Sequence, residues 1–425
     1  MRLIKNFDAL ATSPNRKICL EIIEEGLASI QPKKVVEKNF SVNSNILRIQ
    51  NKTINLKGYK RIFLVGFGKG SAGISKQIEK MLGRYLTQGF VVDVVNERFS
   101  KIEFTKGTHP LPSVTNFTFT KRTIEQLSNL TISDLILVVI AGGGSALFVD
   151  PYKISLEKLI AVNKALLKSG ANITEMNVVR KHLDLVKGGG LAKLLYPAKV
   201  ISVIASDVPG NDLSVIASGP TVKDLSTKEQ AFDILKRFDL WEKLGLSQND
   251  FLETPKEDKY FDNVSNILIL SNQTALNAMK QKAKDLGFKT IIYSDRLQGE
   301  AKFVGKSLIE KTPPHTVLLV GGETTVKVKG TGLGGRNQEV VLGALQYLTK
   351  DVVIASFDSD GWDNSPFAGA IGDLETLEKA KQLNMNAQEF LETNNTLPFF
   401  QKVHDGIITN KLPSNVSDLM VVVKK

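Results

Sequence analysis

The sequence is poor in the residues that mark secreted, metal-binding or membrane proteins. Cys19 is the only cysteine among 425 residues, which excludes a disulfide framework and a cysteine metal site. The four histidines are scattered without the spacing of metal ligands, and no apolar run is long enough to span a bilayer. The N-terminal segment also lacks the unbroken apolar core of a signal peptide. These absences predict a cytoplasmic protein without a membrane partner.

Positive charge is abundant, but it is not concentrated. The formal net charge is +11, yet the lysines are spread along the whole chain and long runs of like charge are missing. Such a distribution is typical of a solvated surface that also attracts small anionic ligands. The charge therefore does not predict a nucleic-acid partner.

Short β-branched runs alternate with longer amphipathic segments over most of the chain. Continuously apolar strands separated by helices predict an α/β fold whose mainly parallel sheets are covered on both faces. A chain of 425 residues exceeds what one hydrophobic core usually serves, so we expect two domains. A polar stretch that begins at Trp241 places the boundary between residues 1–255 and 256–425. The predicted strands are 61–65, 90–95, 135–140, 200–205, 267–270, 290–293, 316–320, 324–328 and 352–356.

The segment from residue 177 to residue 221 combines the parts of an anion site. Its members are Arg180 and Lys187, the glycines Gly188, Gly189 and Gly190, the carboxylate Asp207 after an apolar run, and a final loop with Ser218, Gly219 and Thr221. Consecutive glycines let a backbone approach an oxyanion closely, and a following helix turns free N–H groups toward it. Basic residues and a carboxylate after a strand suit a phosphate with its divalent ion. A surface loop with ordinary helix punctuation is the alternative.

Two further glycine-rich loops also follow predicted strands. Lys69 lies in the first loop, where a lysine at a helix start is a good point charge for phosphate or carboxylate; a surface lysine is the alternative. This loop matches neither the Walker A pattern nor the dinucleotide-binding pattern. The second loop contains Gly142, Gly143, Gly144 and Ser145, and its strand–glycine–helix order predicts an anion cradle. Ligands of open α/β sheets gather beyond the carboxyl ends of the strands, where these loops lie.

The region from Glu323 to Glu339 contains a fourth feature, the run Gly334-Gly335-Arg336-Asn337. Arg336 falls at the start of a helical pattern, where the helix dipole disfavours a cation. We interpret it as a residue that clamps an anionic ligand or stabilises a transition state. A simple surface pair with Glu339, one turn further on, is the alternative. His109 precedes Pro110 and Pro112 in a rigid turn that could present it to a cleft.

Taken together, these motifs resemble the class II glycerate kinases, whose C-terminal portion is the MOFRL domain. The matching pieces include GFGKGSAG around Lys69, AGGGSALF around Ser145 and GGRNQE around Arg336, and they run in family order. The resemblance implies a Rossmann-like N-terminal α/β domain, a MOFRL-type C-terminal α/β domain and a cleft between them. It also implies phosphorylation of D-glycerate by ATP with Mg²⁺ or a similar divalent ion, and it favours 2-phosphoglycerate as the product.

The residues and the resemblance together give each motif a predicted role. Lys69, Arg336 and Asp207 are the predicted catalytic residues, and Asp207 is also the predicted metal ligand. Lys69 and Arg336 neutralise the phosphoryl group or hold the glycerate carboxylate, and their division of roles stays open, as does the choice of Asp207 or Glu323 as general base. The other predicted substrate contacts are Arg180, Glu323 and Asn337. The predicted ATP contacts are Gly142, Gly143, Gly144, Ser145, Lys187, Gly188, Gly189, Gly190, Ser218, Gly219 and Thr221.

Two other functions compete with phosphoryl transfer. The first is an NAD(P)H-dependent oxidoreductase acting on glycerate or hydroxypyruvate. The missing GxGxxG pattern, and the absence of a suitably spaced acidic residue after the first glycine loop, argue against it. The second is a sensor that binds a nucleotide or a sugar acid, in which Lys69 and Arg336 would be simple anion contacts. For the oligomeric state we expect a monomer or a homodimer.

Overall fold

The computed structural model describes residues 2–425, which form two compact units. Residues 35–269 form one unit, here called the central unit, and residues 2–34 with 270–425 form the other, here called the split unit.

The strands are β1 (Phe40–Asn43), β2 (Ile46–Ile49), β3 (Lys52–Asn55), β4 (Arg61–Phe67), β5 (Gln88–Asp93), β6 (Ile102–Lys106), β7 (Asp134–Ile140), β8 (Lys199–Ala205), β9 (Val264–Leu270), β10 (Lys289–Leu297), β11 (Thr316–Gly322), β12 (Val352–Asp358), β13 (Gly369–Gly372), β14 (Gly406–Ile407) and β15 (Asp418–Lys424). The α-helices are α1 (Phe7–Leu10), α2 (Pro14–Ser29), α3 (Pro32–Asn39), α4 (Ser71–Leu82), α5 (Val114–Gln126), α6 (Gly144–Leu147), α7 (Leu156–Ser169), α8 (Ile173–His182), α9 (Gly190–Leu195), α10 (Lys228–Arg237), α11 (Asn272–Asp285), α12 (Ala301–Lys311), α13 (Arg336–Ala344), α14 (Leu374–Gln382), α15 (Ala387–Glu392) and α16 (Thr396–Val403).

The sheet of the central unit has the strand order β6-β5-β4-β7-β8-β9. Strand β4 pairs in parallel with both β5 and β7, and β7 pairs in parallel with β8. Counted from β4, the order is that of a doubly wound sheet, in which ligands bind where the winding reverses, between β4 and β7. Every residue of β7 is buried, as expected for a parallel strand covered on both faces. The mainly parallel sheet predicted for the N-terminal half is confirmed.

The sheet of the split unit is mixed rather than mainly parallel. Its order is β10-β11-β15-β12-β13-β14, with β10 and β11 parallel and β15 antiparallel to both of its neighbours. The last strand of the chain therefore enters the middle of the sheet, which the alternation of strands and helices did not predict. The predicted strand at 324–328 is not formed, because apart from one bridge between Glu300 and Thr325 this stretch has no ladder partner.

The N-terminal helix α2 belongs to the split unit. Arg16 on this helix is fully buried, and its guanidinium donates hydrogen bonds to the carboxylates of Asp373 and Asp405, both at 2.7 Å. Gly26 allows α2 to approach α11, since a Cβ there would lie 2.6 Å from Cγ of Met279. The chain thus passes between the units near residues 34 and 269, whereas the sequence predicts one domain boundary after residue 255.

Candidate active site

The loops that follow β4 and β7 touch each other where the winding of the central sheet reverses. The backbone N–H of Lys69 donates a hydrogen bond to the carbonyl oxygen of Gly142, at 2.7 Å. Gly68 has a φ of +107°, and a Cβ there would lie 2.3 Å from the carbonyl oxygen of Ala141. Because only glycine tolerates this φ and this close approach, Lys69 is held beside the second glycine loop.

Two side chains lie directly on the backbone of this second glycine loop. A Cβ at Gly142 would lie 1.8 Å from Oδ2 of Asp207. A Cβ at Gly143 would lie 2.8 Å from Nε2 of His109. Only glycine at these two positions leaves room for the carboxylate and the imidazole. The structure therefore gathers Asp207, His109 and the first residues after β4 around one loop.

His109 is the member of this group that the predicted site omits. Burial, and after it the nearby positive charge of Lys69, lowers the pKa of His109 to about 4. The imidazole is therefore neutral at neutral pH and can both donate and accept a hydrogen bond. The signal in the sequence is the rigid turn formed with Pro110 and Pro112, which indicates a cleft-facing side chain but gives no partner for it.

A buried carboxylate, Asp93, occupies the amide groups of the first glycine loop. Asp93 is the last residue of β5, and its Oδ2 accepts hydrogen bonds from the N–H groups of Gly70, at 2.9 Å, and Ala72, at 3.0 Å. Burial raises the pKa of Asp93 to about 6, although these hydrogen bonds oppose the shift. The loop thus closes on an internal anion at the start of α4. What it contributes to the site is the side chain of Lys69.

The triple glycine at residues 188–190 is part of the framework. The N–H groups of Gly188, Gly189 and Gly190 donate to the carbonyl oxygens of Ser218, Gly219 and Lys187, at 2.9, 2.8 and 2.8 Å. An anion cradle needs N–H groups that point away from the protein, so these amides do not fit the cradle that we predicted.

Two polar residues predicted to contact ATP are also used inside the fold. Lys187 is 3 % exposed, and its Nζ donates to Oδ2 of Asp184 at 2.5 Å. Thr221 is buried, and its hydroxyl bonds the side chains of Ser202 and Asn266. Both side chains stabilise the loops of the central unit, and neither is accessible to a nucleotide.

A chain of hydrogen bonds joins two of the predicted loops. The hydroxyls of Ser145 and Ser218 lie 2.8 Å apart, and Ser218 donates to Oδ1 of Asn177 at 3.0 Å. Nδ2 of Asn177 is buried and has no hydrogen-bond partner among residues 2–425. Arg180, one turn further along α8, donates to the neutral amide of Asn163 at 2.7 Å. Burial lowers the pKa of Arg180, and no ion pair joins it to an acidic residue in the described chain.

In the split unit, three carboxylates surround the guanidinium of Arg336. Nε donates to Oδ2 of Asp418 at 2.7 Å, Nη1 to Oε1 of Glu323 at 2.8 Å and Nη2 to Oδ2 of Asp358 at 3.3 Å. The side chain keeps 28 % of its surface exposed. Arg336 therefore does not make the surface pair with Glu339. Glu323 follows β11, Asp358 ends β12 and Asp418 begins β15. The sequence did not predict β15, which therefore supplies an unexpected partner of Arg336.

Asn337 supports one of these carboxylates, that of Asp418. It is fully buried, its Nδ2 donates to Oδ1 of Asp418 at 2.8 Å and to Oδ1 of Asp363 at 3.2 Å, and its Oδ1 accepts from the hydroxyl of Ser356. Asp363 in turn accepts hydrogen bonds from the first N–H groups of α13. Asn337 thus orients Asp418, and the substrate contact predicted for it does not fit its burial.

A cavity of about 500 Å³ opens beside Arg336. Its wall includes Glu323 and Asp358, together with the buried hydroxyls of Thr324 and Thr396, which have no hydrogen-bond partner among the described residues. Burial raises the pKa of Asp358 well above its usual range, and the negative charges of Asp360 and Asp418 add to the effect. The cavity therefore offers an arginine, carboxylates and unsatisfied hydroxyls to a small polar ligand.

Comparisons with known proteins identify relatives over nearly the whole chain. Residues 18–253 match a family model described as a domain of unknown function, DUF4147, and residues 316–418 match the MOFRL family. A glycerate 2-kinase of Pyrococcus horikoshii is 34 % identical, with 96 % of this chain and 97 % of the relative covered. A protein of Agrobacterium vitis described as a putative hydroxypyruvate reductase is 32 % identical, with 96 % of this chain and 94 % of the relative covered.

A solved structure agrees with these relatives. The crystal structure of a glycerate kinase from Thermotoga maritima has a TM-score of 0.86 and 32 % identity, and the match covers 96 % of this chain and 99 % of that one. Among the helices of residues 2–425, none is both long and apolar enough to cross a membrane.

Proposed function

Since the chain belongs to the glycerate 2-kinase family, we propose that it transfers the γ-phosphoryl group of ATP to D-glycerate and forms 2-phosphoglycerate. The contact between the glycine loop of Lys69 and the glycine loop at 142–144, where the winding of a doubly wound sheet reverses and where Asp207 packs on Gly142, supports this proposal most directly. Phosphoryl transfer depends on positioning and charge neutralisation more than on covalent chemistry, and these loops supply both kinds of group. We expect a cytoplasmic enzyme that is a monomer or a homodimer.

In the central unit, the proposed role of residues 142–145 is to receive the phosphates of ATP. Lys69 would neutralise the charge that grows on the transferring phosphoryl group, because its loop fixes its position before the ligand arrives. Arg180 is a second cation near this region, and its lack of an acidic partner favours an anionic ligand. His109, kept neutral by its surroundings, would hydrogen bond to the ligand without repelling Lys69.

Asp207 is the residue that we propose for Mg²⁺. No group of three metal-ligating side chains occurs among the described residues. A nucleotide-bound Mg²⁺ needs only one or two carboxylates, because phosphates and water complete its shell. The carboxylate of Asp207, packed on the backbone at Gly142, fits that requirement. The ion would neutralise charge on the phosphates.

In the split unit, the proposed ligand of the Arg336 cavity is the glycerate carboxylate. The bond from Arg336 to Glu323 is the exposed one of its three, so a substrate carboxylate can replace Glu323 there without disturbing the two buried partners. The free hydroxyls of Thr324 and Thr396 would then bond the hydroxyls of the substrate. Glu323, once displaced, is a candidate general base beside Asp207.

The relative described as a hydroxypyruvate reductase makes an oxidoreductase the second candidate function. Asp93 ends the second strand of the doubly wound sheet, where dinucleotide-binding folds carry the acidic residue that binds the ribose. Its position corrects the expectation that no suitably spaced acidic residue follows the first glycine loop. However, Asp93 is buried and its carboxylate holds the amides of Gly70 and Ala72, so it is not available to a ribose. This use of Asp93 favours the kinase.

One assay separates the two activities. Purified protein is given D-glycerate, ATP and Mg²⁺ in a coupled ADP-release assay, and in parallel hydroxypyruvate with NADH or NADPH. We expect ADP formation that requires glycerate and stops with EDTA, and no oxidation of either nicotinamide. Oxidation of NADH or NADPH without glycerate-dependent ADP release would overturn the proposal. The product is identified as 2- or 3-phosphoglycerate by phosphorus NMR.

A further inference from the structure

A second cavity in the split unit, of about 550 Å³, is lined by four lysines. Lys302 and Lys306 come from α12, and Lys327 and Lys329 come from the segment before α13. Two glutamates, Glu339 and Glu392, also line it, so the lining side chains carry a net charge of +2. Cavities of this size hold small-molecule ligands, and a cavity whose lining has an excess of one sign of charge concentrates ligands of the opposite sign.

The segment that carries Lys327 and Lys329 separates the two cavities. Val326 and Val328 line the cavity beside Arg336, whereas Lys327 and Lys329 line the second cavity. This alternation is that of an extended chain, whose successive side chains point to opposite faces. It also explains why the sequence of this stretch predicted a strand.

The separating segment is held firmly in place. The N–H groups of Lys329 and Gly330 donate to Oδ1 of Asn394, at 2.7 and 3.1 Å. Nδ2 of Asn394 donates to Oε2 of Glu339 at 3.3 Å, and both of these residues line both cavities. The positions of Lys327 and Lys329 are therefore set by the fold and do not depend on solvent-exposed rotamers alone.

Ion pairing neutralises little of the positive charge in this cavity. Lys302 has a close partner, Glu300, at 2.9 Å, but Lys306 reaches Glu310 only at 3.8 Å. Lys327 and Lys329 form no direct ion pair in the described part of the chain. The four lysines outnumber the two glutamates of the lining, so their mutual repulsion costs stability that a bound anion would offset.

Aromatic side chains at the edge extend the cavity beyond a simple charged patch. Phe303 is 63 % exposed and Tyr347 is 37 % exposed, and both line the cavity. Nζ of Lys306 lies 4.6 Å from the ring centroid of Tyr347. Lysines are point charges that suit phosphates, and exposed rings provide a surface on which a base can stack. We propose that this lysine-lined cavity binds a small molecule that carries two or more phosphate groups, as a nucleotide does, at a site separate from the cavity beside Arg336.

The test measures binding of inorganic tripolyphosphate and of ATP by isothermal titration calorimetry without metal. Lys306, Lys327 and Lys329 are changed together to glutamine, and the matched control changes Lys284, Lys289 and Lys402, which are exposed in the same unit and line neither cavity. Beside any binding at the phosphate site proposed for the central unit, we expect a tripolyphosphate site that is weakened at least about tenfold in the first variant and unchanged in the control. Thermal unfolding verifies that both variants are folded.

The two ligands separate recognition of phosphate from recognition of a base. If the cavity also binds the base, ATP binds to the cavity more tightly than tripolyphosphate does, and Phe303→Ala removes that difference. Equal affinities of the two ligands would show that the cavity recognises phosphate alone. Either result supports a phosphate site. Equal loss of binding in both triple-lysine variants would overturn the proposal, because it would reduce the effect to overall charge. Binding that is lost only in Lys69→Ala would overturn it as well.

Discussion

Two triple-glycine segments of the central unit look alike in the sequence but have different roles, one at the candidate site and the other in the framework. At Gly142 and Gly143 the space beside the backbone is taken by the side chains of Asp207 and His109. At Gly188 and Gly189 it is taken by the side chains of Thr254 and Phe261, and at Gly190 by backbone, where a Cβ would lie 2.0 Å from the carbonyl oxygen of Leu185. Three consecutive glycines thus indicate that something approaches closely, but they do not say whether it is a functional group or the chain itself.

The lysines beside these two segments differ in the same way. Lys187 is buried against Asp184, where it completes an internal pair. Lys69 stands half-exposed, with its backbone tied to Gly142. The comparison predicts that changes at Lys69 and at residues 142–144 act on the reaction. Changes at Lys187 and at residues 188–190 should act on stability.

Lys69→Ala should have the largest effect on the reaction. If Lys69 neutralises charge that develops in the transition state, its loss lowers kcat roughly 100- to 1000-fold, while the KM for ATP changes little. Steady-state kinetics and a thermal unfolding curve measure both sides of this prediction. A variant that loses only affinity for glycerate would show that Lys69 holds the substrate carboxylate, and unaltered kinetics would remove it from the site.

Lys187→Ala should have the opposite profile. Removing one member of a buried pair leaves Asp184 charged and uncompensated, which costs about 3–5 kcal/mol of unfolding free energy. The fraction that remains folded should keep a normal KM for ATP. Urea denaturation and kinetics at low temperature are the measurements, and Lys193→Ala, an exposed lysine on α9, is the control. A large rise in KM with normal stability would restore Lys187 to the nucleotide site.

Arg336→Lys extends the comparison to the split unit. A single ammonium group cannot reach Asp358, Asp418 and Glu323 together, so the planar geometry is lost while the charge is kept. We expect kcat/KM to fall roughly 100-fold. Arg296→Lys, which changes an exposed arginine paired with Asp295, is the control. Kinetics close to those of the parent, in a folded variant, would make Arg336 a structural residue.

Replacing a glycine in each segment tests the comparison most directly. Gly142→Ala has to displace the end of one side chain, the carboxylate of Asp207, so we expect kcat/KM to fall roughly tenfold or more at nearly unchanged stability. Gly190→Ala meets backbone, which cannot move aside, so we expect a loss of about 1–3 kcal/mol of unfolding free energy and normal kinetics. Equal effects of the two substitutions on stability and on activity would end the distinction.

Local sequence signals predicted the strands that carry the site. The apolar runs of β4, β7 and β8 end where the functional loops begin, and periodicity alone located them. The run Asp418–Lys424 is equally apolar, but its place between β11 and β12 depends on pairings that no local pattern reveals. Without β15 the partnership of Asp418 with Arg336 could not be predicted.

Long-range contacts also explain why the two compact units differ from the domains predicted from the sequence. Arg16 is an ordinary residue of an amphipathic helix in the sequence, and only its buried contacts with Asp373 and Asp405 join that helix to the split unit. The separating segment at 326–329 has a clear local signal but not the structure that this signal predicts. Its alternating pattern is real, but the alternation faces two cavities instead of the two faces of a sheet.

The smallest expected effect is the contribution of Asp93 to the pH dependence of the unfolding free energy. It tests whether the anion held by the first glycine loop is this internal carboxylate. Burial raises the pKa of Asp93 to about 6, above the value of about 4 in the unfolded chain. The folded protein therefore binds the proton more tightly, and the stabilisation from this group is complete below about pH 4 and lost as the pH rises through about 6.

Asp93→Asn should remove that pH dependence. The unfolding free energy of the parent, relative to the variant, should rise by roughly 1–3 kcal/mol between pH 7 and pH 4. Urea denaturation at several pH values measures the difference. Because Asp150 and Asp418 also have a pKa raised to about 6, only the difference between the two proteins isolates Asp93. Asp351→Asn, at an exposed site, is the control and should leave the profile unchanged. Parallel profiles of the parent and the Asp93 variant would show that the pKa of Asp93 is the same in the folded and the unfolded chain, which would contradict the effect of burial on this carboxylate.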